Sequence, residues 1–486
     1  MQWMSWSRLR TWQARRSDRV LVLCASFLAG LILARLHWVL PSWFVVLLGL
    51  LAIAGVKKPV FQFVVLGLFG LSLGIWRGAA YLQALQPYQE FARQKVTITG
   101  KVSLDAVYGK HGQLSFEIKK VQFHAPRAVE VPGTVRVSGF GELAIYRGDI
   151  VQATGKLYPT RGGKQAAMGY AQLERIGNEQ TWIDGFRRSF VAGIQTALPE
   201  PAASFGLGLL IGQRNTLPAA ISHAFLMVGL MHIIAVSGYN LTILVSAARR
   251  LLEKRSKLLM ITLAGGLMTF FLLITGAAPS VVRAAVVSGL GLAAWYYGRR
   301  VRPMVLILLA AALTSYATPV YFWSDIAWWL SVLAFFGILV IAPAVMGRLY
   351  RDKKPSVLMA MAIETLSAEL MTMPLIMYIF GQVSLIALLA NLLVALFVPY
   401  AMLLSFIAGA VGMLAPLLSG WVAWPAQILL TYMLDTAVVL SRLPNVFHTN
   451  IYISALDMAL CYALVIWLLF LLKRRKMVWF SAVHKG

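Results

Sequence analysis

Long apolar runs separated by short basic clusters make up most of the chain, and one stretch of alternating polarity interrupts them. A bilayer's hydrocarbon core of about 30 Å takes about 20 apolar helical residues to cross. The first run, 20–40, meets that length, whereas 42–56 and 60–76 are short enough to sit shallow or form a hairpin. Similar runs recur from 221 to 472. The total is about twelve, which predicts a polytopic α-helical membrane protein.

Between 95 and 185 the apolar runs give way to short alternating segments parted by glycine-rich turns. Val96, Ile98, Val102 and Leu104 alternate with polar residues, as do Leu114, Phe116 and Ile118, then Val135 and Val137, then Val151, Ala153 and Leu157. A period of two is the mark of half-buried strands. Roughly five strands in this space fit a small OB-like β-barrel inserted after three leading helices, a domain over 90–186. With those apolar residues inside, Lys101, Lys119, Arg136 and Lys156 stand outward on four strands, and Tyr108, Phe123, Phe140 and Tyr146 lie near turns. That array suits either a nucleic-acid face or an ordinary solvated exterior. Its 13 basic against 9 acidic residues leave a net charge of only +4 over 90–186.

Composition agrees: 59 % of residues are hydrophobic and 13 % charged, with a mean hydropathy of +0.73. That leaves too little polar surface for a soluble protein of 486 residues. The net charge of +26 implies an anionic partner, either lipid headgroups or nucleic acid. Basic clusters also set orientation. Arg8, Arg10, Arg15, Arg16 and Arg19 mark 1–19 as a cytoplasmic N-terminus ahead of helices in 20–76, with Lys57 and Lys58 at a cytoplasmic turn. Clusters recur at Arg249 to Lys257, Arg299 to Arg302, Arg348 to Lys354 and Lys473 to Lys476, after every second crossing. Both termini, including the tail 473–486, are therefore expected inside and the β-domain outside. Segment 187–220 mixes mildly polar residues with the run GLGLLIG, too short to span, and is read as interfacial or re-entrant.

Candidate chemistry concentrates inside the apolar runs. HIIAVSGYN places His232, Ser237, Gly238, Tyr239 and Asn240 within a membrane segment, which must be broken or tightly packed to satisfy them. APSVVRAAVVSG has Pro279 at a helix start and Ser280 and Arg283 on one face. Arg283 either faces the interior or snorkels outward. Glu364 and Glu369 lie within 357–380, where a carboxylate pairs, takes a proton or lines water; Arg283 is a possible pairing partner. Cys24 and Cys461 sit in separate apolar runs and imply no disulfide framework. The seven histidines include no closely spaced metal-binding cluster, and no GxxxxGK[ST] phosphate loop occurs, so neither metal nor cofactor is expected.

These blocks resemble the ComEC family of bacterial competence proteins. HIIAVSGYN is similar to that family's His, two apolar, Ala, apolar, Ser, Gly signature, and PSVVRA to its Pro, Ser, two variable, Arg, Ala signature. GLLIGQR, ending at Arg214, resembles its Gly and Arg block, while WWLSVLAFFGILV and FGQVSLIALLANLLVALFVP, containing Asn391, fit later helices. Two departures stand out. The family often has a second His where this chain has Asn240, and many members continue into a metallo-β-lactamase-like nuclease domain, whereas this chain stops at Gly486.

The resemblance implies an inner-membrane channel, 221–472, that admits single-stranded transforming DNA during natural competence. It further implies a separate DNA receptor, a cytosolic ATP-driven translocase and a separate nuclease. Arg214 and Arg283 would compensate phosphate charge and Gly238 would allow close backbone approach. The alternative is a proton-coupled small-molecule secondary transporter using Ser237 to Asn240 and the two glutamates. An intramembrane Ser protease would need a His on another helix beside Ser237, with an orienting acid, and none is evident.

Overall fold

The computed structural model describes residues 16–36, 38–54, 59–109, 112–124, 129–160, 162–213, 217–234, 238–252, 256–277, 279–298, 302–350 and 355–483. The chain forms two compact units, Met1–Glu179 with Tyr297–Ile326, and Gln180–Tyr296 with Ala327–Gly486.

In the first unit, helices Arg16–Arg35 and Pro59–Ala84 pack along their small residues. Gly70, Gly74 and Gly78 recur every four residues on one face, the spacing that lets membrane helices approach closely. A methyl group at Gly74 would lie 2.2 Å from the Phe27 carbonyl oxygen and 2.9 Å from Gly30 Cα. The run expected to end at residue 76 is thus part of a 26-residue helix, long enough to span. Helix Pro303–Ala317 joins the pair. Arg77 closes its C-terminal end, donating to the carbonyls of Tyr316 at 2.9 Å and Ala317 at 3.1 Å, where a cation meets the negative end of the helix dipole. Trp323 Nε1 donates to the Leu31 carbonyl at 2.9 Å. Lys57 and Lys58 lie outside the described residues.

The same unit holds the β-domain, and it is a barrel. Its strands are β1 (Lys95–Val102), β2 (Val107–Tyr108), β3 (Leu114–Phe123), β4 (Val129–Phe140), β5 (Asp149–Pro159) and β6 (Ala166–Asn178). They follow the order β1-β5-β6-β4-β3, and pairing of β1 with β3 closes the ring; β4 and β6 alone run parallel. The period-two pattern fills the interior, where Ile98, Ile118, Val135, Val137, Val151 and Leu157 are fully buried. Phe123, placed near an exposed turn by sequence, is instead core: its ring meets Tyr88 and Phe91 from the segment joining membrane helix to barrel. Gly162 is held within the unit by Ser324 Oγ, which donates to its carbonyl at 2.9 Å.

In the second unit, the described part of segment 187–220 begins two-faced, with Arg187, Phe190, Gly193 and Ile194 buried and Arg188, Ser189 and Gln195 exposed. Helix Trp182–Ala197 starts in a capping box between Thr181 and Asp184, and buries Phe190, Gly193 and Ile194 against helix Val398–Leu414. Helix Ala202–Ile211, containing most of GLGLLIG, is buried at all ten residues. Among the described residues seven helices are long and apolar enough to cross a membrane, or eight counting the bent pair Ala387–Ala395 and Val398–Leu414. Further apolar runs fold as shorter helices, Ser42–Ile53, Ala202–Ile211 and Pro303–Ala317. The chain is a multi-pass helical membrane protein with a small five-stranded closed barrel.

Candidate functional site

The blocks singled out in the sequence converge within the second unit. HIIAVSGYN begins with the short helix Met231–Ile234 and ends in the start of helix Gly238–Leu252. Ser237 and the Tyr239 side chain lie outside the described residues, as does Arg214. Gly238 touches the helix that carries the second signature, Pro279–Tyr296: a methyl group at Gly238 would fall 2.7 Å from Ala284 Cβ and 3.5 Å from the Phe335 ring. Glycine is thus required by space at the point where the two signatures meet.

Asn240 is 1 % exposed, and its Nδ2 donates to the Leu209 carbonyl at 2.9 Å. Leu209 sits in the last turn of helix Ala202–Ile211, which Gly212 ends in the left-handed conformation with φ of 77°. The last carbonyls of a helix lack intrahelical donors. The side chain standing where the family often has a second His therefore satisfies a helix end, tying HIIAVSGYN to GLLIGQR.

Arg283 is 3 % exposed one turn into its helix, and its Nη2 donates to the Ala327 carbonyl at 3.0 Å, joining helices Pro279–Tyr296 and Ile326–Phe336. It faces protein, and does not snorkel. Pro279 and Ser280, half-buried, open that helix. Neither Glu364 nor Glu369 has an ion pair or side-chain hydrogen bond among the described residues, so the considered pairing with Arg283 is not made. Glu364 is exposed and Glu369 half-buried on helix Val357–Phe380. Between them on the same helix, the Ser367 carbonyl oxygen would lie 2.4 Å from a methyl group at Gly337. Gly337 opens a π-helical turn, Gly337–Ile341, a feature frequent at functional sites.

A third connection escaped the sequence. Asn391 Nδ2 donates to Thr365 Oγ1 at 2.6 Å, and the Asn391 amide faces His232. His232 Nδ1 contacts the Gly229 carbonyl at 3.2 Å and must donate there. Gly229 adopts a φ of 74°, and a methyl group on it would strike Ala387 Cβ at 2.7 Å. The turn thereby lets His232 reach the helix of Asn391. Nothing in the spacing of His232, Thr365 and Asn391 announces this cluster. Among the described residues no group of His, Cys, Asp and Glu could hold a metal ion.

The family model described as Competence protein matches residues 209–475, just over half of the chain and all of the site just described. The chain belongs to this family. Its likeness to ComE operon protein 3 of Bacillus subtilis (strain 168) is 27 % identity over 230 residues, covering 46 % of this chain and 28 % of that protein. The matched part thus spans well under half of the relative. No solved structure matches the chain.

On the barrel, the four expected cations fall apart by strand. Lys101 and Lys119 are register partners across β1 and β3, and Lys101 Nζ pairs with Glu179 at 3.2 Å. Arg136 stands opposite Glu117, which itself pairs with Lys164. Lys156 stands opposite Lys95.

Proposed function

We propose that this protein passes single-stranded DNA across the bacterial cytoplasmic membrane during natural competence, with both termini cytoplasmic and the barrel outside receiving the strand. The observation that carries the reading is the convergence of the family blocks: Gly238 against Ala284 and Asn240 on Leu209, with Gly229 beside His232 packed on Ala387 of the block that holds Asn391. Membership of the Competence protein family supports it. Each phosphate is costly to move into a medium of low dielectric, so the path must be wet and positively supplied. Arg283 clamps two helices of its wall through Ala327 and brings a fixed positive charge, and the basic loops attract anionic lipid headgroups. In this reading a separate receptor captures DNA, a cytosolic ATP-driven translocase pulls it, and a separate nuclease supplies the single strand.

Deleting the protein is expected to abolish transformation and DNase-resistant uptake of labelled DNA while surface-bound DNA persists; unchanged transformation would reject the proposal. Arg283→Ala should show the same split. A second reading, proton-coupled solute transport, draws on Glu364 and Glu369, which have no ion pair among the described residues. It predicts solute-dependent proton uptake in proteoliposomes that the double change to Gln removes.

A further inference from the structure

Single-stranded DNA binding by OB folds generally uses the face of the second and third strands of the barrel. Here those are β3 and β4, whose outward Lys119 and Arg136 share their face with the carboxylate of Glu117, which stands opposite Arg136, pairs with Lys164 and would repel a phosphate. The opposite wall is different. Lys95 on β1 stands directly across from Lys156 on β5, two like charges at a pairing position that costs stability. Arg93 extends the same edge, its amide bonded to the Leu157 carbonyl at 2.7 Å. Among the described residues none of these three cations has an ion pair or side-chain hydrogen bond.

Aromatic rings continue the row. Lys156 is paired with Gly169 on β6, next to Tyr170, which is 80 % exposed and held in the left-handed region with φ of 52° at a bulge. The Tyr170 ring lies 6.5 Å from that of Phe140 on β4, and Tyr158 stands exposed two residues from Lys156. Exposed rings interleaved with unpaired cations are what single strands require, because every base has a face to stack and every nucleotide a phosphate.

We infer that the strand binds this wall, across Phe140, Tyr170, Tyr158, Lys156, Lys95 and Arg93, rather than the face around Lys119 and Arg136. The inference rests on the proposal that the barrel receives single-stranded DNA, and adds where. Curvature favours a strand over a lipid surface. The row crosses four consecutive strands of a five-stranded ring, about 200° of its circumference, and a flat bilayer touches only one side of such a small barrel.

The test is binding of fluorescent oligothymidylate to the full chain in neutral-lipid nanodiscs over a salt series, for wild type, Lys95→Gln with Lys156→Gln, Tyr170→Ala, Tyr170→Phe, and Lys119→Gln with Arg136→Gln. The Lys95 and Lys156 pair of changes should lower the slope of log affinity against log salt by about 1.4, since each phosphate contact on a single strand contributes about 0.7. Tyr170→Ala should weaken binding about fivefold or more, and Tyr170→Phe, which keeps the ring, should not. Wall variants that bind like wild type, with loss confined to Lys119→Gln with Arg136→Gln, would overturn the location while leaving the receiving role intact. A wild type that does not bind at low salt would overturn that role itself. Flotation with phosphatidylglycerol vesicles that depends on Lys95 and Lys156, with oligonucleotide binding unaffected, would assign the wall to lipid instead.

Discussion

Replacing Asn240 by Leu keeps the branched outline of the side chain and removes the donor that satisfies the Leu209 carbonyl. In soluble cores, orphaning a buried polar group costs about 1–3 kcal/mol. Interhelical hydrogen bonds in membranes average about 0.6 and reach about 1.7 kcal/mol, because partners are also found in the unfolded chain within the bilayer. Leu209 belongs at the upper membrane value. Its helix stops at Gly212, so no amide of the next turn replaces the lost donor, and Asn240 is too deeply buried for water to do so. A loss of about 1.5 kcal/mol follows, a little over a tenfold shift in the unfolding equilibrium. Detergent-driven unfolding of the reconstituted protein, followed by tryptophan fluorescence, measures it. Asn240→Leu within about 0.3 kcal/mol of wild type, well under the average membrane hydrogen bond, would refute the view that Asn240 closes a helix end.

Gly238→Ala should destabilise by about 1–3 kcal/mol through overpacking against Ala284 and sharply lower transformation, and Ala284→Gly in the same chain should restore much of both; no rescue would argue against that contact. A double-mutant cycle of Asn391→Leu and Thr365→Val should give a coupling of about 0.5–1.5 kcal/mol in the same unfolding assay, and additive effects would remove the bond from the account. Leu143→Cys, 89 % exposed on the barrel, should react in intact spheroplasts with a membrane-impermeant maleimide; reaction only after lysis would place the barrel inside.

The sequence by itself determined what depends on period and solvent. Apolar runs must be helical in lipid, where backbone polar groups find partners only within their own segment, and Ile98, Val135 and Val151 alternate because a strand shows one face to the barrel core. It also showed where polar groups are too expensive to be incidental, at His232, Asn240 and Arg283. Tertiary structure alone decided their partners. That Asn240 meets a carbonyl 31 residues earlier, that Arg283 reaches Ala327 rather than a glutamate, and that Asn391 donates to Thr365 depend on helix crossings. Those crossings are set by non-local packing of small residues such as Gly238 and Gly337, whose neighbours lie far away in sequence. The barrel repeats the lesson. Alternation told inside from outside, but only strand order and register put Lys95 beside Lys156 and Tyr170 beside Phe140, and set Arg136 against Glu117, because charge and stacking act between neighbours that a closed ring brings together.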